Sequence, residues 1–240
     1  MDAGTAPQVK ALLFDVFGTL VDWRTSIARA AERLLVPLGV QSDWLALADA
    51  WRARYQPAME TVRQGAQPFV KLDVLHRQNL DEVLHAMQLT RVPEAVRAEL
   101  NLAWHRLDAW PDVAAGLTRL RTRYRIAPCS NGNISLMVDL ARRNGLPWDA
   151  ILGAEIARDY KPKPAVYLAA AAAFDCAPGE AMMVAAHSSD LAAAAATGLR
   201  TAFVARPDED GRGGAESAPA VPVDFAVPDL NALADRLGCA

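Results

Sequence analysis

Four short polar clusters in this sequence carry side chains that suit chemistry on an anion. Asp15 comes first, a Ser130-Asn131 pair follows, Lys161 precedes a proline, and Asp190 comes last. A carboxylate can act as a nucleophile or a base, and a lysine beside it keeps it ionised and neutralises developing charge. Together these residue types predict a site that handles a small anionic substrate.

The first cluster follows an apolar run. Ala11–Phe14 shows no helical period and stops at Asp15, which is typical of a buried parallel strand. Open α/β sheets bind ligands beyond the carboxyl ends of their strands, which is where Asp15 would lie. Gly18 permits a tight turn there, and Thr19 can hold that turn by a local hydrogen bond. The alternative is that Asp15 is only a turn residue.

The other clusters each have a purely structural explanation. Ser130 and Asn131 are good helix N-caps, and Asp190 can stabilise a helix N-terminus by its charge alone. Lys161 fits a solvated loop lysine, and His187 fits a structural hydrogen-bonding residue. The order and placement of the clusters together favour a site over these separate explanations.

The elements that would position the clusters alternate between strands and helices. Short apolar runs predict strands over 9–14, 125–129, 151–154, 181–185, 200–204 and 224–227. Helical patterns lie between and after them over 113–124, 134–144, 164–174, 191–197 and 230–237. This alternation predicts an α/β fold with a Rossmann-like parallel sheet core and helices on both faces. Residues 1–8 are predicted to be a disordered lead, and residues 206–220 a loop.

Residues 22–108 show helical patterns only, which predicts a helical insertion of roughly four helices after the first strand. Its first helix is expected to be capped by Thr25 or Ser26, and its second to be kinked at Pro57. Arg52 lies on that second helix, where a surface arginine is the simplest explanation. The predicted catalytic core is formed by residues 1–21 and 109–240.

Composition and charge argue against several classes of protein. The formal net charge is −3, so the sequence has no excess of basic residues that would indicate binding to nucleic acid or to an anionic membrane. No apolar stretch reaches the length of a membrane span, and three well-separated cysteines fit a reduced, cytoplasmic location. The four histidines lack metal-ligand spacing, so no zinc site is expected. No cofactor is predicted. A homodimer stays open, because apolar cap residues such as Trp44 and Leu47 could face a second subunit.

The motifs, taken in order, resemble a known family over essentially the whole chain. The haloacid dehalogenase superfamily has four motifs that are similar to Phe14-Asp15-Val16-Phe17-Gly18-Thr19-Leu20, Ser130-Asn131-Gly132, Lys161-Pro162 and Asp190. The helical cap inserted after the first motif is part of the resemblance. The implied fold is the α/β core described above, with residues 22–108 inserted as a helical-bundle cap domain.

Within the superfamily the chain resembles the (S)-2-haloacid dehalogenase branch. Phe17 stands where most phosphatase members carry a second aspartate, used for acid–base work and Mg²⁺. Asp190 is a single acid where phosphatases tend to have two. Tyr167, six residues after the motif lysine, and Trp51-Arg52 in the cap are further features of the branch.

The resemblance implies metal-free hydrolysis of haloacetates and (S)-2-halopropionate to 2-hydroxy acids and halide. Asp15 would displace the halide to form an ester, and water would then attack the ester carbonyl carbon. The other implied roles are Lys161 keeping Asp15 ionised, Asp190 and His187 activating water, Thr19 holding the Asp15 oxygens, Ser130 binding the substrate carboxylate, Arg52 and Asn131 cradling the halide, Tyr167 positioning Lys161 or Asp190, and Phe17 shaping an apolar pocket.

The fourth motif departs from the pattern of the branch. Ala185, His187 and Ser189 replace a hydroxyl, an amide and an aromatic residue, which implies a distinct subgroup acting on haloacetates, including fluoroacetate. Two alternatives stay open. One is a Mg²⁺-dependent phosphatase of a small metabolite, disfavoured by Phe17. The other is a non-catalytic carboxylate-binding protein, disfavoured by an acid that faces a lysine.

Overall fold

The structure is a computed structural model that describes residues 8–211 and 213–240. The rest of the predicted N-terminal lead, residues 1–7, lies outside the described residues. The strands found are β1 Ala11–Phe14, β2 Val21–Asp22, β3 Asp108–Ala109, β4 Arg125–Ser130, β5 Leu152–Gly153, β6 Ala181–Ala185, β7 Arg200–Val204 and β8 Phe225–Val227. Six of them form a parallel sheet in the order β5-β4-β1-β6-β7-β8, and β2 pairs with β3 in an antiparallel ribbon.

The helices fall into two groups. Between β2 and β3 lie α1 Trp23–Leu35, α2 Trp44–Ala53, α3 Tyr55–Arg63, α4 Leu72–Ala86 and α5 Glu94–Asn101, with 3₁₀ turns at Val36–Leu38 and Leu102–Arg106. After β3 come α6 Val113–Arg121, α7 Ile134–Asn144, α8 Ala154–Ala157, α9 Pro164–Ala172, α10 Ser188–Ala196 and α11 Leu230–Arg236, with a 3₁₀ turn at Pro178–Glu180.

Strand β1 lies inside the sheet and is buried on both faces, as its unbroken apolar run predicts. Leu12 and Phe14 belong to a hydrophobic cluster that also contains residues of α6, α7 and α11. Ala11 and Leu13 belong to a second cluster, with residues of α9 and α10. Because successive side chains of a strand point to opposite faces, β1 is covered by helices on both sides.

The predicted α/β class is therefore confirmed, with a parallel sheet, helices on both faces and a helical insertion after the first strand. The ribbon formed by β2 and β3 brings the two ends of the insertion together. No sequence pattern predicted this ribbon. Such two-residue strands are too short to show a period. The division of the chain into domains at 22 and 108 stays a prediction.

Several local predictions need correction. The N-cap of α1 is Asp22, whose carboxylate accepts from the Thr25 N–H over 3.0 Å, so neither Thr25 nor Ser26 caps this helix. Pro57 does not kink a continuous helix. The chain breaks at Arg54, and Pro57 falls in the first turn of α3, where its missing N–H leaves no hydrogen bond unmade.

Helix α10 also begins three residues earlier than predicted, at Ser188. The apolar period starts only at Leu191, because the first turn consists of polar residues. This shift matters for the site, since it places Asp190 in the first helical turn, with its backbone N–H bonded to the His187 carbonyl oxygen over 3.1 Å.

Arg206 braces the loop that follows β1. Its guanidinium forms two hydrogen bonds to the Asp112 carboxylate, both 2.8 Å, and its Nε donates to the Thr19 carbonyl oxygen over 2.7 Å. The Asp112 carboxylate also accepts from the Leu230 N–H over 2.8 Å. A buried bidentate pair of this kind is geometrically rigid. Three distant segments are thereby tied to the turn that carries Asp15.

The structure bears on two predictions from the sequence, one about membrane spans and one about a second subunit. No helix in the described part of the chain combines the length and apolar character needed to cross a bilayer. Leu47 is fully buried inside the chain and Trp44 packs partly against the same core. Leu47 is therefore not available to a second subunit, whereas Trp44 stays partly exposed, and the homodimer stays a prediction.

Candidate active site

Asp15 directly follows β1, and its backbone N–H donates to the Val184 carbonyl oxygen over 3.0 Å. Thr19 Oγ1 donates to Asp15 Oδ2 and Lys161 Nζ donates to Oδ1, each over 2.8 Å. Burial by itself raises the pKa of Asp15, but Lys161 and His187 outweigh burial and hold that pKa well below its usual range. Asp15 is therefore an ionised carboxylate inside the protein.

Lys161 is buried between two carboxylates. Its Nζ lies 2.8 Å from Asp15 Oδ1 and 2.6 Å from Asp190 Oδ2. Burial by itself lowers the pKa of Lys161, but the two acids raise it well above its ordinary value. Burial also raises the pKa of Asp190, whose other oxygen accepts from the Tyr167 hydroxyl over 2.5 Å. Lys161 is thus a permanent cation that both acids share.

His187 contacts the opposite side of the Asp15 carboxylate. Its Nδ1 lies 3.2 Å from Asp15 Oδ2, and its Nε2 lies 2.8 Å from Glu209 Oε2. Burial by itself lowers the pKa of His187, but hydrogen bonds to Asp15 and Glu209 raise it to about 10. A protonated imidazole donates from both nitrogens, so His187 supplies Oδ2 with a second donor beside Thr19.

The end of β4 and the turn after it carry two predicted site residues, Ser130 and Asn131. Only one of them lines the cavity over Asp15 that is described below. Asn131 lines the cavity, and its Oδ1 accepts from the Lys161 N–H over 2.8 Å, which leaves the amide NH₂ as a donor. Ser130 is fully buried and outside the cavity wall, with its Oγ accepting from the Gly132 N–H over 3.1 Å. Neither residue caps α7, because Asn133 holds that position.

A cavity of about 500 Å³ opens over Asp15 between the sheet edge and the inserted helices. The sheet side contributes Asp15, Phe17, Asn131, Lys161, Pro162, His187, Ser189 and Asp190. Helix α2 contributes Arg52, and helix α3 contributes Tyr55, Gln56, Glu60 and Arg63. Sequence reasoning named Arg52 and none of the α3 side chains. Tyr55 lies three residues after Arg52, and that spacing was a usable signal.

Arg52 projects a cation over the cavity. Its guanidinium lies 4.3 Å from the ring centroid of Tyr55 and 5.3 Å from that of Trp23. Its Nη1 atom is buried and has no hydrogen-bond partner within the described residues. Leaving a buried charged donor unpaired costs roughly 1–3 kcal/mol or more, so a ligand that accepts this hydrogen bond is favoured. The arrangement therefore suits a small anion.

Phe17 forms the apolar wall of the cavity beside Asp15. Its ring makes edge-on contacts with Tyr55, His76 and Trp104, at centroid distances of 6.2, 6.3 and 5.7 Å. His76 stacks on Trp104, and burial lowers the pKa of His76 to about 3, so this imidazole is neutral. The aromatic cluster keeps water from one side of the nucleophile.

The geometry brings together an ionised carboxylate, two cations that contact it, a second acid and an unpaired guanidinium. Such a set can attack an electrophilic carbon of an anionic substrate and stabilise the charge that leaves. Within residues 8–211 and 213–240, no group of three or more His, Cys, Asp and Glu side chains is arranged to hold a metal ion.

Comparison with known proteins agrees with this fold and identifies the family. A model of the haloacid dehalogenase-like hydrolases matches residues 9–198. The crystal structure of a defluorinating L-2-haloacid dehalogenase is 47% identical and covers 96% of each chain, with a TM-score of 0.93. That of a second L-2-haloacid dehalogenase is 44% identical and covers 96% of this chain and 99% of the other, with a TM-score of 0.92.

A relative of lower sequence identity is also a 2-haloacid dehalogenase. The (S)-2-haloacid dehalogenase 4A of Burkholderia cepacia is 27% identical over 201 residues, which is 82% of this chain and 84% of that protein. This chain belongs to the haloacid dehalogenase-like hydrolase family. Within it, the chain is similar to the dehalogenases that act on L-2-haloacids, which confirms the branch predicted from the motifs.

Proposed function

We propose that this protein hydrolyses the carbon–halogen bond of short 2-haloacids, releasing halide and a 2-hydroxy acid. The observation that carries the proposal is an ionised, buried Asp15 facing a cavity in which Arg52 holds an unpaired donor. Dehalogenation of 2-haloacids is what the names of these similar proteins describe. A substrate with one carboxylate and one halide leaving group matches this arrangement of charge.

Asp15 Oδ1 is the oxygen that attacks the carbon bearing the halogen. Oδ2 already accepts from Thr19 and His187, whereas among the described residues Oδ1 accepts from Lys161 alone and keeps a lone pair for attack. The new Oδ1–C bond forms as the C–X bond breaks, and the electron pair leaves with the halide. No proton is needed for this departure, so Phe17 can occupy a position where a general acid would otherwise stand.

Arg52 and Asn131 are the groups proposed to receive the halide. Within residues 8–211 and 213–240 the Arg52 Nη1–H has no acceptor, and the Asn131 amide NH₂, which lies beside the Tyr55 hydroxyl, has two N–H donors to offer. Ser130 was predicted to bind the substrate carboxylate. Its hydroxyl is buried beneath the Gly132 N–H, so this role requires the turn to rearrange when substrate binds.

The second half of the reaction needs a base near the ester. Asp190 is proposed to take a proton from water, because its pKa is raised and its two oxygens are held by Lys161 and Tyr167. Water then adds to the Asp15 carbonyl carbon, and the ester bond breaks to release the 2-hydroxy acid. Tyr167 is therefore proposed to position the second carboxylate, one of the two roles predicted for it.

Residues 22–108 are proposed to act as a cap that closes the cavity over substrate. The support is that α2 and α3 supply one wall of the cavity, and that Arg63 Nη1 donates to the Lys161 carbonyl oxygen over 2.7 Å. Closing a site over an ionised nucleophile strengthens its electrostatic interactions. The proposed partners are the haloacid and water, and the cytoplasmic location remains a prediction.

The test is halide release in the presence of EDTA from chloroacetate, fluoroacetate and each enantiomer of 2-chloropropionate. We expect release without added metal, a preference for the (S) enantiomer, and fluoride among the products. A parallel assay follows phosphate-ester hydrolysis with Mg²⁺. Phosphate release without halide release would overturn the proposal in favour of the phosphatase, and activity in neither assay would favour a carboxylate-binding protein.

Replacing Arg52 by alanine is expected to lower kcat/KM for haloacids by about 10²–10³-fold, because the halide loses its charged donor in the transition state. Inhibition by added chloride should weaken in the same variant. Arg54→Ala is the matched control, since Arg54 lies on the same turn but bonds to Glu82 and the Ala50 carbonyl oxygen. Equal losses in the two variants would show that Arg52 does not bind the anion.

A further inference from the structure

A third acid, beside Asp15 and Asp190, lies behind the nucleophile in a segment that sequence reasoning treated only as a loop. Glu209 is 5% exposed, and its Oε2 accepts from His187 Nε2 over 2.8 Å. The other ring nitrogen of His187 lies 3.2 Å from Asp15 Oδ2. Glu209, His187 and Asp15 therefore form a continuous chain of hydrogen bonds ending on the reacting carboxylate.

The position of Glu209 is built into the fold. Trp23 Nε1 at the start of α1 donates to Glu209 Oε1 over 3.0 Å, and Arg206 ties the same loop to Thr19. Gly18 has a φ of +85°, and a Cβ there would lie 1.9 Å from Glu209 Oε1. Gly18 is thus required twice, by its backbone conformation and by the carboxylate that packs against it.

We propose that Glu209 is a positioning residue that holds His187 as a doubly protonated donor to Asp15 Oδ2, so that His187 and Thr19 form an oxyanion hole for hydrolysis of the aspartyl ester. The inference rests on the proposed function and assigns a distinct role in its second half. Glu209 touches neither substrate nor the reacting atoms and acts only through His187.

Hydrolysis of the ester on Asp15 proceeds by addition of water and loss of the alkoxide. Water adds to the Asp15 Cγ atom while one of its protons passes to Asp190, and the electron pair of the carbonyl bond moves onto Oδ2. Negative charge appears there between Thr19 Oγ1–H and His187 Nδ1–H. When the pair returns, the Cγ–Oδ1 bond breaks and the departing alkoxide takes the proton from Asp190. The carboxylic acid left on residue 15 ionises, and that proton leaves to solvent.

The two half-reactions use Oδ2 differently, which makes the proposal testable. During ester formation charge leaves the Asp15 carboxylate, so a donor on Oδ2 gives no advantage and slightly weakens the nucleophile. During ester hydrolysis charge develops on Oδ2, so the same donor lowers the barrier. Loss of the Glu209–His187 pair should therefore slow the second step selectively and cause the ester to accumulate.

The charged groups around His187 are Asp15, Lys161, Asp190, Arg52, Glu209 and Asp210. The acids that bond to His187 raise its pKa to about 10, and Lys161 titrates well above its ordinary value. In the ester residue 15 carries no charge, so Glu209 alone supports the proton on His187, and hydrolysis should fall as pH rises through a value below about 10. Removing the Glu209 charge should move this alkaline limb to lower pH by about 1–3 units.

The experiment compares Glu209→Gln and His187→Gln with wild type in single turnovers on chloroacetate. Acid-quenched samples are read by intact-protein mass spectrometry for the ester, and halide release is followed in parallel. We expect halide release to persist, ester hydrolysis to slow by about 10-fold in E209Q and by about 10²–10³-fold in H187Q, and the ester to accumulate in both. Glu216→Gln is the control, because Glu216 lies in the same loop but bonds to Ser188 instead.

The outcomes separate this inference from the proposed function. No halide release from wild type would overturn the proposed function itself. Halide release by wild type, together with equal slowing of both steps in E209Q, would overturn only the role of Glu209 and His187. An unchanged alkaline limb in E209Q would do the same, and so would an E216Q variant that accumulates ester like E209Q.

Discussion

Replacement of Asp15 by asparagine is expected to abolish halide release, lowering turnover by about 10⁴-fold or more. The amide keeps the shape of the side chain but has no anionic oxygen to displace a halide. The fold should persist, because Lys161 keeps its 2.6 Å contact with Asp190 and His187 keeps its contact with Glu209. Turnover and the midpoint of thermal unfolding measure the two effects separately.

Two controls sharpen the Asp15→Asn experiment. Asp175→Asn makes the same change at an exposed aspartate in the turn after α9 and should leave turnover unchanged. Mass spectrometry must show that the asparagine at position 15 has not been hydrolysed back to aspartate. Wild-type turnover in a variant with an intact asparagine would remove Asp15 as the nucleophile.

Replacement of Lys161 by methionine should damage both activity and stability. The ammonium group lies 2.8 Å from Asp15 and 2.6 Å from Asp190, and all three side chains are nearly inaccessible. Without it two buried carboxylates face each other, and breaking a buried ion pair on one side costs about 3–5 kcal/mol in the free energy of unfolding. One carboxyl group would then hold a proton at neutral pH, and ester formation would fail.

The direction in which the free energy of unfolding changes with pH distinguishes loss of the Lys161 charge from a general packing defect. In wild type the depressed pKa of Asp15 contributes stability at neutral pH that is lost only as pH falls through that low value. In Lys161→Met the pKa of one carboxyl group is raised, so the free energy of unfolding should rise as pH falls from 8 to 5. Chemical denaturation at both values measures this.

Lys163→Met is the matched control for Lys161→Met. It lies two residues further along the same loop and forms no salt bridge with either site carboxylate. We expect wild-type stability and pH dependence from it. A Lys161→Met variant whose stability falls equally at pH 5 and pH 8 would contradict the charge argument, even if its activity were lost.

Local patterns predicted the parts of the site that follow regular strands. The apolar run that ends at Asp15, and the five-residue run of β6, announced their strands because burial on both faces leaves a continuous hydrophobic signal. Parallel pairing then brought the ends of these strands together. The convergence of Asp15 and Lys161 was therefore expected before any coordinates, although their 2.8 Å contact was not.

Predictions failed where two signals of similar strength competed. Asp22, Thr25 and Ser26 are all good N-caps, and only the short β2–β3 ribbon decides that the helix begins directly after Asp22. The resemblance implies that Ser130 binds the substrate carboxylate, and that role stays a prediction. In the structure its Oγ accepts from the Gly132 N–H of the turn that follows the strand.

By itself the sequence determined the order of strands and helices, the helical insertion, and the acid, lysine and second acid at one sheet edge. These features follow from the hydrophobic period and from local turn and capping residues, whose influence extends over a few residues. Only the tertiary structure decided that Glu209 lies behind His187 and that Tyr55 lies beneath Arg52 at the cavity wall. Glu209 is 194 residues from Asp15, in an aperiodic loop, and its placement depends on Trp23 and Arg206, contacts that no local pattern encodes.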